Sequence, residues 1–264
     1  MMSLPAGTRR AERVLLASAG VLAALAVLLP ATALPVHYHD FADQRALWHM
    51  PNALDVLTNL PFAMLGVFML LRLHSLREQL SKAEWQLAVL TALGLVATAL
   101  CSGVYHLRPD AAGLLLDRAG MGLAFAGVLG LAVATRISDR AGRAAALAIA
   151  LLAPLAAVWD WQTANMTPWV VLQGGGLLLL AALALRPLRP GAAAVALWPV
   201  LALYGLAKGL ELADGPVLAA TQGLISGHSA KHLVAALAVW PVLRGLGRRA
   251  GTIAANTPHT KDFA

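Results

Sequence analysis

The sequence predicts an all-α protein, a polytopic transmembrane helical bundle of about eight spans. Three observations predict it. Charged residues make up only 12 % of the chain and hydrophobic residues 59 %, with mean hydropathy +0.70, where a soluble domain carries roughly 25 % charged residues. Apolar runs long enough to cross hydrocarbon, roughly 20 residues, recur from end to end. The basic residues then fall in the short connections of alternate runs, as the charge rule for membrane topology requires.

The same composition excludes other classes. Cys101 is the sole cysteine, so no intrachain disulfide framework exists, and it reads as a small buried hydrophobe. No polar tract suggests a disordered chain. A net charge of +7 without interleaved aromatic and basic residues argues against nucleic acid as a partner.

The runs are read in order at about 13–33, 53–72, 85–105, 114–135, 143–160, 167–186, 192–212 and 218–243. The first follows Arg9, Arg10 and Arg13 and precedes Ala31-Thr32-Ala33, a pattern shared with cleaved signal peptides. Its apolar stretch is long for one and no soluble domain follows, so a retained helix is expected. The polar segment 34–52, rich in His and Asp, is the long connection. Segments 111–118 and 220–232 are less apolar than a lipid-facing surface and are expected to face the bundle interior. Gly174-Gly175-Gly176 lacks the strand and spacing of a phosphate loop and reads as close helix packing. The tail beyond 246 is expected to be disordered and cytoplasmic.

With the N-terminus in the cytoplasm, the inner segments carry Arg9, Arg10, Arg13, Arg72, Arg77, Lys82, Arg136, Arg140, Arg143, Arg186, Arg189, Arg244, Arg248, Arg249 and Lys261, fifteen of the 20 basic residues. The outer connections carry Arg45 and Arg108. This asymmetry predicts eight spans with both termini inside.

Polar side chains in lipid are costly and mark function. Within or beside the runs stand Asp55, Asn59, Ser102, His106, Asp117, Arg118, Lys208, Glu211, His228, Lys231 and His232. Ser102 and His106 are four apart, hence on one helix face, as are His228 and His232. In the predicted topology both pairs and Asp117 lie toward the outer ends of their helices, roughly 5–15 Å inside the boundary by helical rise. Three imidazoles with one open position make a catalytic zinc site, which acidifies water and polarises a carbonyl. Asp117 is then placed to shuttle a proton and Ser102 to donate to a developing oxyanion. Blander readings stand beside this one. A lone membrane histidine often only bridges helices, and a His-x-x-x-His pair also suits haem or a proton path. Asp117-Arg118 reads equally as a structural ion pair, and Lys208 with Glu211 as a mutual one. Lys231 leans toward Glu211 or snorkels.

Taken together and in order, Ser102-Gly-Val-Tyr-His106, Asp117 and His228-Ser-Ala-Lys-His232 resemble the alkaline ceramidase family, within a wider group of seven-helix membrane hydrolases that includes the adiponectin-type receptors. Asn52-Ala-Leu-Asp55-Val-Leu-Thr-Asn59-Leu-Pro61-Phe62 resembles that family's first core helix. The resemblance runs from about Asp40 to Arg244. It implies a seven-helix hydrolase core over 37–246, preceded by one extra helix within 1–36. It implies zinc held by His106, His228 and His232, with Ser102 and Asp117 catalytic. It implies cleavage of the amide of a ceramide-like lipid to a fatty acid and a sphingoid base. It also implies calcium at an acidic outer loop, where Asp40, Asp43 and Asn52 occupy similar places; Arg45 and the low acidic count set a structural loop cap against that reading. The Ala/Gly/Leu-rich chain with compact loops reads as bacterial. The expected location is therefore an inner membrane, with the site near its outer face and a membrane lipid as partner. Another N-acyl lipid stays open as substrate. The competing functions are a receptor-like lipid binder without turnover and a haem-binding electron-transfer protein.

Overall fold

A computed structural model describes residues 5–251; most of the tail expected to be disordered lies outside them. The described residues are helical, and their only β-type pairings are the isolated bridges Leu47–Met50 and Ala193–Arg249. Six helices are long and apolar enough to cross a membrane. They are α1 (Ala6–Leu28), the pair α2 (Ala53–Leu57) and α3 (Leu60–Leu76) taken as one, α4 (Lys82–Leu107), α5 (Ala111–Arg136), α6 (Asp139–Thr163) and α7 (Thr167–Ala184). Beyond them lie α8 (Leu197–Leu212), α9 (Asp214–Ala220), α10 (Gly227–Leu237) and α11 (Trp240–Leu246).

Local chemistry sets the ends. Ser81 and Glu84 form a reciprocal capping box at the start of α4, and the Asp110 and Ser138 side chains cap α5 and α6, each satisfying amides that the first helical turn leaves without partners. Pro30 follows α1. Two helical segments are broken, one between α2 and α3 and one between α10 and α11, and each break precedes a proline, Pro61 and Pro241, which cannot donate within the ladder. At the first break the Thr58 and Asn59 side chains bond back to the carbonyls of Leu54 and Asp55.

The eighth apolar run departs from expectation. It is not one helix over 218–243. Gln222 and Gly223 take left-handed backbone angles, with φ 53° and 81°, and turn the chain between α9 and α10. Ser226 then caps α10 by accepting from Ser229 N. His228 therefore stands in the opening turn of its helix, with His232 one turn further along.

The helices pack in sequence, α3 on α4, α4 on α5 and onward through α6, α7 and α8. From there α10 contacts both α8 and α3, closing a ring, and α1 lies outside it against α7. The surface inverts the soluble pattern. Leu71, Leu100, Leu147, Leu151 and Leu178 are exposed, whereas Asp55, Asn59, Ser102, His106 and Asp117 are buried. Small residues bring the backbones together, as in membrane bundles generally. A Cβ on Gly94 would lie 2.2 Å from Ala124 N, and one on Gly127 2.4 Å from Thr91 N. The triple glycine is split: Gly175 receives Leu22 of α1 and Gly176 receives Phe125, while Gly174 faces open space.

At the end opposite the paired histidines, polar groups tie the bundle shut. Glu84, 1 % exposed, accepts from the amides of Ser81 and Ala193 and from Arg249. Arg189 pairs with Asp139, and Glu12 of α1 accepts from Ser138 and Arg140.

The α4–α5 contact generates a stability prediction. Gly94→Ala should destabilise the detergent-solubilised protein by about 1–3 kcal/mol, the usual cost of overpacking. Gly174→Ala should change it by less than about 0.5 kcal/mol. Thermal midpoints of the two variants compare the sites directly.

Candidate metal centre

Helix register brings the centre together. The final turns of α4 present Ser102 and His106, and the first two turns of α10 present His228 and His232. All three histidines are buried, at 1 %, 7 % and 5 % exposure, and each offers a ligand atom within 4.8 Å of the others. Their ring centroids stand 4.8 to 5.0 Å apart. Nε2 of His106 and Nε2 of His228 are 3.3 Å apart. Two nitrogens each about 2.0–2.1 Å from a tetrahedral zinc ion stand about 3.3–3.4 Å apart. A hydrogen bond between two imidazoles would account for one such pair, but not for a third ring at the same distance from both.

The third ring is turned by a neighbour. The Thr58 hydroxyl donates to Leu54 O at 2.7 Å, which spends its one proton. At 3.0 Å from His232 Nδ1 it must therefore accept, placing the ring proton on Nδ1 and leaving Nε2 a bare ligand. Outer hydrogen bonds of this kind fix tautomer and orientation at metal sites. Nδ1 of His106 is buried without a partner, while that residue's carbonyl accepts from Asn52 Nδ2 at 2.9 Å. Beside His228, the Ser229 hydroxyl donates to Asp55 Oδ1 at 2.6 Å. Asp55 is fully buried, and this bond ties α2 to α10. The donor set, its spacing and the ring orientation fit a metal ion.

Asp117, in the second turn of α5, is buried with Ser102 beside its carboxylate; its Oδ1 has no hydrogen-bond partner. Arg118 turns the other way, pairing with Asp160 of α6 under the Trp169 ring. The Asp117–Arg118 ion pair is thus not formed. Asp160 was missed at the sequence level although it is a carboxylate inside an apolar run, the very signal used for the others. Thr58 and Ser229 carried no such signal, since a hydroxyl on a helix declares no partner.

A cavity of about 190 Å³ leads away from the centre. Ser102, Asp117 and His232 form part of its polar lining, with Lys208, Glu211 and Lys231; Phe62, Leu95, Phe125, Leu172 and Leu180 are among its apolar walls. Glu211 bonds both lysines, Lys231 at 2.7 Å.

The loop 34–52 covers the opposite side. Phe41, 7 % exposed, packs its ring 4.7 Å from that of His106 and 4.3 Å from that of His228. The residues with calcium-loop resemblance are otherwise engaged. Arg45 grips both oxygens of Asp43 at 2.7 Å, its hydrogen bonds holding that carboxyl below the usual range. Asp40 pairs with His37, and Asn52 serves His106. The Arg45 guanidinium thus sets a positive charge against Asp43.

Comparison of the chain with models of protein families and with curated proteins finds no match.

Removing the Thr58 acceptor should free the His232 ring. Thr58→Val should weaken divalent-metal binding by about 10–100-fold, the usual effect of losing such a partner, with little change in thermal midpoint. Metal titration of the stripped protein measures it.

Proposed function

We propose that the protein is a zinc-dependent membrane amidase that hydrolyses the N-acyl bond of a ceramide-like lipid to a fatty acid and a sphingoid base. The observation that carries this reading is the buried trio of His106, His228 and His232, with two of its nitrogens 3.3 Å apart. The ordered motifs of Ser102, His106, Asp117, His228 and His232, which resemble the alkaline ceramidases, point the same way.

The proposed topology has eight crossings with both termini in the cytoplasm. α8 serves as the seventh and α10 with α11 as the eighth, each about 24–30 Å long by helical rise. The histidines then lie near the outer face, and the basic cluster of Arg186, Arg189, Arg244 and Arg249 lies inside. This orientation brings a lipid sideways from the bilayer, chains against the cavity's apolar walls and amide toward the polar end.

Zinc, when bound, supplies Lewis acidity for the carbonyl and for water. The protein's own groups do the rest. Asp117, its Oδ1 unpartnered, takes a proton from the attacking water and returns it to the departing nitrogen. The hydroxyl of Ser102 donates to the oxygen that gains charge as the carbonyl is attacked. Burial strengthens both interactions, because little water competes. Glu211 with Lys208 and Lys231 lines the same cavity, where polar groups of the lipid would rest.

The haem alternative fits poorly. A bis-histidine clamp needs a flat porphyrin between two rings, and three mutually contacting imidazoles leave no such slot.

One zinc should copurify per chain and be lost, with activity, in His106→Ala, His228→Ala and His232→Ala. Asp117→Asn should keep the metal while turnover of a fluorescent N-acyl sphingoid base falls by about 10²–10⁴-fold, the usual worth of general acid–base catalysis. Metal analysis paired with that assay is the test; undiminished hydrolysis by His228→Ala would end the reading.

A further inference from the structure

The Asp214 carboxylate lies between two parts of the chain that sequence keeps far apart. Its Oδ1 accepts from His228 N at 2.8 Å, and its Oδ2 accepts from Ala42 N at 2.9 Å. The first is an amide in the opening turn of α10, which has no partner within its own helix. The second belongs to the residue directly after Phe41. One side chain thus accepts two backbone hydrogen bonds from segments far apart in sequence.

The approach behind this contact is close. A Cβ on Gly227 would lie 2.2 Å from Leu210 O and 2.8 Å from Asp214 Cα, so only glycine lets α10 begin so near Asp214. The loop has a second pin at His39, whose Nδ1 is 2.8 Å from the Tyr105 hydroxyl. Between the two pins Phe41 lies on the rings of His106 and His228. The cavity touches His232 and is lined by neither Phe41, His106 nor His228. The loop and the cavity thus meet the centre from different sides.

We propose that Asp214 is a positioning residue that latches the outer loop to the helix carrying His228, seating Phe41 as a plug that keeps outside water off the trio and leaves the cavity as the way in. Its bearing on catalysis rests on the amidase reading; the latch itself does not. A plug on the aqueous side would make the hydrolytic water arrive by a controlled route and would shield the ligands from competing solutes.

The experiment uses full-length detergent-purified protein, before and after EDTA stripping, and two readouts. Diethylpyrocarbonate, delivered from water, acylates His106 and His228, followed by mass spectrometry on the stripped protein. Zinc loss to a hydrophilic chelator is followed on the loaded protein. Asp214→Ala and Phe41→Ala should each raise both rates by about tenfold, as expected when one or two hydrogen bonds restraining a local opening are lost. The double variant should be no faster than the faster single, because both act through one plug. Asp214→Asn, which keeps one acceptor oxygen, should fall between and serves if the alanine variant does not accumulate. Wild-type rates in the Asp214 variants would overturn the latch. So would a parallel rise in maleimide labelling of Cys101, which would mean general loosening. If the protein binds no zinc yet the acylation rates rise as stated, the latch stands and the amidase reading falls.

Discussion

Lipid offers no hydrogen bonds, so a polar group carried into it is costly unless another part of the chain answers it. That constraint organises this protein. Asp55 is answered by Ser229, His232 by Thr58, Arg118 by Asp160 and the His106 carbonyl by Asn52. Each answer comes from a different element, so the polar groups also fix which helices are neighbours. Burying one of these groups alone would cost several times what its hydrogen bond contributes. The arrangement is correspondingly specific.

The apolar part of the bundle works by shape rather than by exclusion of water. Leucines such as Leu71, Leu100 and Leu178 point outward, where they match the acyl chains, while glycines such as Gly94 and Gly127 bring the seams together. Close backbone contact between α4 and α5 sets Ser102 and Asp117 on adjacent walls of one cavity. Their geometry is thus inherited from a packing surface well below them, around Gly94 and Gly127.

Much of this was legible in the sequence. The apolar runs located the six long helices, and the two pairs spaced by four placed Ser102 with His106 and His228 with His232 on shared faces. Convergence followed because both pairs sat at the same end of their runs. What stayed hidden depended on rotation and on turns. Nothing in Thr58 announced that it would face a histidine 174 residues away. The turn before α10 was masked because Gln222 takes a left-handed angle that its residue type does not advertise. The acidic loop was read partly for charge, yet Arg45, two residues from Asp43, answers that charge locally. Phe41 and Asp214 gain their meaning only once the loop folds back over α10.

The two interrupted helices sit side by side, α2 against α10. The segments carrying Asp55 and Thr58 on one hand, and His228 and His232 on the other, are stitched to each other, and each ends at a break before the next helix. His106, by contrast, rides on an unbroken rod of 26 residues. One ligand is therefore carried by a continuous helix and two by a short helix that ends at a break. The His106 imidazole thus takes its bearings from a rod that runs the depth of the bundle, and the other two from a compact unit stitched to its neighbour.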